Sequence, residues 1–103
     1  MALEEHMNHV PGENRGDVLL YALSTCGWCR KTRDLLDDLG VEYRYVYVDL
    51  LDSEAKSEAI KGITDWNPSC SFPTMVINGD RCIVGYQADK IREALSKRED
   101  VEV

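Results

Sequence analysis

Ser24-Thr25-Cys26-Gly27-Trp28-Cys29 is the stretch from which the rest of the chain is read. An apolar run, Val18 to Leu23, precedes it and reads as a short buried strand. Arg30 to Leu39 follows with helical periodicity, so the two cysteines fall where a strand hands over to a helix. Cys26 is expected at the first turn, where unpaired N–H groups and the positive end of the helix dipole favour a thiolate. Cys29 is expected three residues on, on the same face and within disulfide reach. A thiolate beside a second thiol is the minimum apparatus for thiol–disulfide exchange.

The 103 residues support one domain with a modest core. A net charge of −7 argues against nucleic acid and anionic membrane as partners, since both repel an acidic surface. No apolar run is long enough to span a bilayer, and Met1 to Gly16 lacks the apolar segment of a secretory signal. A cytoplasmic, monomeric protein is the expectation. In a reducing compartment, four cysteines point to redox or metal chemistry before structural bridges.

Residues 1–16, with Pro11, Gly12 and Gly16, read as a flexible tail in which His6 and His9 are inert. The folded domain is expected over 17–99, with a charged end at 100–103. Strand one, Asp17 to Leu23, has the continuous apolar character of a strand covered on both faces. The first helix ends at Gly40 as a C-terminal cap. Glu42 to Asp49 alternates, placing Tyr43, Tyr45 and Tyr47 on one face, as an amphipathic wall under a helix. Ser53 is the expected N-cap of helix two, which runs from Glu54 to about Lys61, faces Ala55, Ala59 and Ile60 inward and closes at Gly62. After a loop over 63–71, Met75 to Ile77 and Arg81 to Val84 form a hairpin about Asn78-Gly79. Helix three runs from about Ala88 to Lys97. The order β-α-β-α-β-β-α predicts an α/β fold with a four-stranded mixed sheet and helices on both faces.

These elements resemble the glutaredoxin family, within the thioredoxin-like superfamily. Tyr21 to Cys29 is similar to its first strand and active-site turn, and Ser71-Phe72-Pro73-Thr74 to its cis-proline segment. Asn78-Gly79 and Gly85-Tyr86-Gln87-Ala88-Asp89-Lys90 are similar to its hairpin turn and the start of its last helix. The resemblance implies a thioredoxin-like fold, Cys26 and Cys29 as the catalytic pair, and a cis Pro73 beside them. It also implies that Phe72 offers its backbone to an extended substrate. Trp28, an apolar ring at the helix start, is read as docking surface, and Gly85 and Tyr86 complete the groove.

Two positions depart from the glutathione-using pattern. Leu23 stands where those members commonly carry Lys or Arg, and Gly85-Tyr86 replaces a Gly-Gly pair. The Gly-Tyr form resembles the glutaredoxin-like electron donors of ribonucleotide reductase. Reduction of protein disulfides, with a protein disulfide reductase as electron donor, is the function this implies. No metal site and no cofactor beyond the thiols are expected, because Cys70 and Cys82 lack the spacing of a zinc knuckle. The alternative is a [2Fe–2S] carrier, since Cys26-Gly27 resembles the cluster-binding members of the family. Cys82 reads as a small core residue, and Cys70, three residues before Pro73, as a loop residue with a third redox thiol as the alternative.

Overall fold

A computed structural model describes residues 3–95. The final residues expected in helix three and the charged end at 100–103 lie outside the described residues. The elements are β1 (Asn8–Val10), β2 (Val18–Ala22), α1 (Gly27–Leu39), β3 (Tyr43–Tyr47), α2 (Ser53–Trp66), β4 (Thr74–Ile77), β5 (Arg81–Val84) and α3 (Ala88–Leu95). The sheet runs β1-β3-β2-β4-β5; β2 and β3 are parallel, and the other neighbours are antiparallel.

Alternation along the strands sorts the core into two layers. Val18, Leu20, Ala22, Tyr43, Met75, Ile77 and Ile83 face α1 and α3. Tyr21, Val46, Val48 and Val76 face Ala55, Ala59 and Ile63 of α2. Helices thus cover both faces, as the thioredoxin-like reading requires. The tyrosine row packs under α1, where Arg33 lies 3.8 Å from the Tyr45 ring centre and donates to the hydroxyls of Tyr43 and Tyr47. The Asn-Gly turn puts both Asn78 and Gly79 at positive φ, the geometry that two-residue hairpin turns need. No described helix is long and apolar enough to cross a membrane.

Three expectations need correction. The segment read as a flexible tail contributes a strand, so the sheet has five strands rather than four. Asn8, His9 and Val10 pair with Tyr45, Arg44 and Tyr43, which covers an edge of β3 that would otherwise present unpaired backbone groups. Leu3 is buried with the α2-side core, His9 meets Glu42, and His6 lies 3.7 Å from Asp52. Helix two begins one residue earlier, with the Asp52 side chain accepting from the Ala55 N–H as its cap, and it continues through Gly62 to Trp66. Ile63, not Ile60, fills the inward position; Ile60 is exposed. Gly40 does cap α1, at φ 69°.

Candidate active site

Cys26 sits at the N-cap of α1 in extended backbone, and its sulfur accepts the Cys29 N–H at 3.1 Å. That bond satisfies one of the orphan donors of the first turn. Cys26 is half-buried, whereas Cys29, one turn on, is 1% exposed among the core residues under α1 and α3. Both are free thiols. Burial pushes the Cys29 thiol up to about 12, and its hydrogen bond to the Cys26 sulfur acts in the same direction, while the Leu23 backbone opposes them. The two sulfurs therefore differ in kind: one is reachable from solvent at a helix terminus, and the other is shielded and held as a thiol.

The turn between β2 and α1 is anchored from outside. Ser24 donates to the Asp49 carboxylate through its backbone N–H at 2.9 Å and its hydroxyl at 2.6 Å. These two donors hold the Asp49 carboxyl below its ordinary value. Asp49 lies in the short 3-10 turn Val48–Leu50 that follows β3. Sequence reasoning gave it no role, because it is remote from the Cys-x-x-Cys in sequence and ends a strand that reads as structural.

The Phe72–Pro73 bond is cis. Its loop is fastened by buried Asn67, whose amide donates to the Ser71 hydroxyl at 3.0 Å and to the Thr74 hydroxyl at 3.2 Å. Thr74 in turn donates to the Ser71 carbonyl at 2.7 Å, and the Gly85 N–H donates to the Pro73 carbonyl at 2.8 Å. The last bond ties the start of β4 to the end of β5, so Phe72, Pro73, Gly85 and Tyr86 share one wall.

Those four residues and Trp28 line a shallow groove of about 270 Å³, so the structure gathers all five residues expected to frame it. Trp28 is 58% exposed, yet its ring is held: it stacks on Tyr86 with centroids 5.8 Å apart at 24°, and the Lys31 ammonium lies 5.5 Å from its centre. Sequence reading missed Lys31, although a cation three residues after an aromatic on one helix face is a legible pair. Cys26 borders a second cleft of about 580 Å³ on its β3 side, lined in part by Leu23, Arg30, Arg33, Asp34 and Tyr47. Cys70 packs against the α2-side core and Cys82 is half-buried on β5; neither lines the groove or this cleft. A further cleft near His9, Asp17, Glu42 and Arg44 has its charges paired with one another and holds no cysteine.

The structure is similar to methanoredoxin of Methanosarcina acetivorans, at 53% identity with a TM-score of 0.81, over 84% of this chain and 90% of that one. It is similar also to a glutaredoxin of Methanosarcina mazei Go1, at 50% identity with a TM-score of 0.84, over 89% of each chain. The Gene 56 protein of Mycobacterium phage D29 is 32% identical over 78 residues, which are 76% of this chain and 81% of that protein. The family model described as Glutaredoxin matches residues 18–82, from the first residue of β2 into β5. With the cysteine pair at the β2–α1 junction, a cis proline on the adjoining strand and that match, the chain belongs to the glutaredoxin family.

Proposed function

We propose that the protein is a dithiol–disulfide oxidoreductase that reduces protein disulfides through Cys26 and Cys29 and is itself re-reduced by a protein disulfide reductase. The observation that carries this reading is the unequal exposure of two cysteine sulfurs one helical turn apart, with the Cys29 N–H donating to the Cys26 sulfur. Cys26, as thiolate, attacks one sulfur of the substrate disulfide; the other leaves as a thiolate and takes a proton from solvent. Cys29 then gives up its proton and attacks the Cys26 sulfur. The mixed disulfide breaks, the second substrate thiol departs, and Cys26–Cys29 is left as the disulfide. Two electrons and two protons have passed to the substrate.

In this reading Trp28, Phe72, Pro73, Gly85 and Tyr86 hold an extended segment of the substrate, with Phe72 offering its backbone and Trp28 supplying an apolar face. The reaction suits the reducing cytoplasm, where a reductase keeps the pair as dithiol. The test is reduction of insulin disulfides with Cys26→Ser and Cys29→Ser compared. Cys26→Ser abolishes turnover, and Cys29→Ser accumulates a mixed disulfide with the substrate. Equal accumulation in both single variants would contradict the assigned roles.

A further inference from the structure

The charges of α1 run against its own dipole. Arg30, Lys31 and Arg33 stand in its N-terminal half and Asp34, Asp37 and Asp38 follow them, with no acid in the first turn and no base in the last. Cations near the positive end of a helix and acids near the negative end both oppose its stability. On an acidic chain, three cations thus fall directly after Cys29. Two of them are engaged: Lys31 lies over the Trp28 ring, and Arg33 donates to the Tyr43 and Tyr47 hydroxyls. Arg30 is exposed and, among the described residues, makes no hydrogen bond or ion pair, not even with Asp34 one turn on.

Arg30 lines the cleft of about 580 Å³ that Cys26 borders. Cys26 therefore stands between two recesses of unlike chemistry, this cleft with its free guanidinium and the apolar groove of Trp28, Phe72 and Tyr86. Arg30 is four residues from Cys26, about 6 Å along the helix axis, and Asp34 is about 12 Å away. An extended segment covers about 3.3 Å per residue, so about two residues separate a cysteine at Cys26 from a side chain at Arg30. An anion farther along the cleft meets Asp34 and is repelled.

We propose that Arg30 is a specificity residue: it pairs with a carboxylate that the substrate protein carries about two residues from the attacked cysteine, on the side opposite the residue seated in the Trp28 groove. The proposal deepens the dithiol reading and rests on it; the favoured substrate is a disulfide whose cysteine lies between an apolar and an acidic residue. The two anchors act together, which a short anionic thiol without an apolar residue cannot reproduce. Arg30 also offsets the repulsion between that carboxylate and the Cys26 thiolate. The net charge of −7 opposes an acidic partner at long range, so the preference is local, within about 10 Å.

The experiment uses the full chain carrying Cys70→Ser and Cys82→Ser, and short peptides whose single cysteine is activated as a pyridyl disulfide. The Cys26 thiolate forms a bond to the peptide sulfur, the peptide–pyridyl disulfide breaks, and thiopyridone leaves and is followed by its absorbance. Each peptide has Leu on one side of the cysteine and Glu or Gln on the other, in both orders. The quantity read is the Glu-to-Gln ratio of rate constants, divided by the same ratio for mercaptoethanol, an uncharged thiol that reports what Glu does to the peptide sulfur alone. Because two peptides are compared on one protein, a change in folded fraction or in Cys26 reactivity cancels. The parent is expected to favour Glu about threefold at low salt, the size of an exposed ion pair, in one order of the peptide only. Added salt is expected to bring the ratio toward unity. Arg30→Gln is expected to take it below unity, and Arg30→Lys to keep the preference. No preference in the parent, an equal preference in both orders, an unchanged ratio in Arg30→Gln, or equal losses in Arg30→Lys and Arg30→Gln would overturn the proposal and leave the dithiol reading standing. A Cys26→Ser protein that releases thiopyridone as fast as the parent would overturn the dithiol reading itself.

Discussion

The Cys29 N–H donates to the Cys26 sulfur at 3.1 Å, so Cys26 caps α1 while the Cys29 side chain, one turn on, is buried in the core. Cys29 is left as a thiol whose ionisation in the folded protein is raised from 9.0 to about 12. The folded state therefore binds this proton more tightly than the unfolded chain does. Its stabilising share is complete below the unfolded value and is lost as pH climbs from 9 toward the folded value. The reduced protein is expected to lose stability in urea across that alkaline window more steeply than reduced Cys29→Ser, by up to about 1 kcal/mol per pH unit. Parallel slopes for the two proteins would show that Cys29 is not held as a thiol by the fold.

Trp28 owes its orientation to Tyr86 stacked on its ring and Lys31 over it, and the ring lines the groove together with Tyr86. Truncating an aromatic anchor of this kind typically costs more than about 1.4 kcal/mol, or roughly tenfold in affinity. Trp28→Ala is expected to lower kcat/KM for a protein disulfide by about that factor. Its reaction with a small disulfide, which does not fill the groove, should stay within about twofold of the parent. Equal losses on both substrates would assign the ring to the cysteines rather than to docking.

Gly62 lies in the middle of α2, and a methyl group there would stand 2.7 Å from the Tyr21 hydroxyl oxygen. Tyr21 is buried in the sheet, so its ring has little room to retreat. Replacing a helical glycine by alanine ordinarily gains about 1 kcal/mol. Here overpacking, typically about 1–3 kcal/mol, offsets that gain. Gly62→Ala is expected to lower the urea midpoint, and Tyr21→Phe added to it is expected to recover the loss. A Gly62→Ala protein more stable than the parent would refute the close approach.

That glycine also marks where the sequence is legible and where it is not. Periodicity and turn chemistry act locally, so β2, α1, the Asn78-Gly79 hairpin and the start of α3 could be read from their own residues. Gly62 looks like a helix stop because only the partner strand reveals that its role is clearance for Tyr21. Asn8–Val10 carries no strand signal of its own; the edge of β3 imposes the conformation. The cysteine pair was legible because its chemistry fixes residue type and spacing, whereas Phe72, Pro73, Gly85 and Tyr86 were expected only through the resemblance to the family. Asp49 and Asn67, which hold the two loops in place, were not: an acid ending a strand and an amide in a loop have many ordinary uses.

The electron donor can be tested at the groove and at the neighbouring cleft that Leu23 lines. Leu23 packs against the α2-side core where a glutathione-using relative would present a cation, and a charge-assisted hydrogen bond to a carboxylate contributes about 1.5–3 kcal/mol, or roughly one to two orders of magnitude in affinity. Tyr86, stacked on Trp28, occupies the place where a second glycine would leave room for a tripeptide backbone. A surface of net charge −7 adds mild repulsion toward an anionic tripeptide, screened beyond about 10 Å. A protein disulfide reductase is therefore expected to reduce Cys26–Cys29 far faster than glutathione does. Stopped-flow fluorescence of Trp28 follows the reaction, with Trp66→Phe removing the other indole, because the quenching disulfide adjoins Trp28 in sequence. Rapid, saturable reduction by millimolar glutathione would place the protein among the glutathione-dependent members of its family.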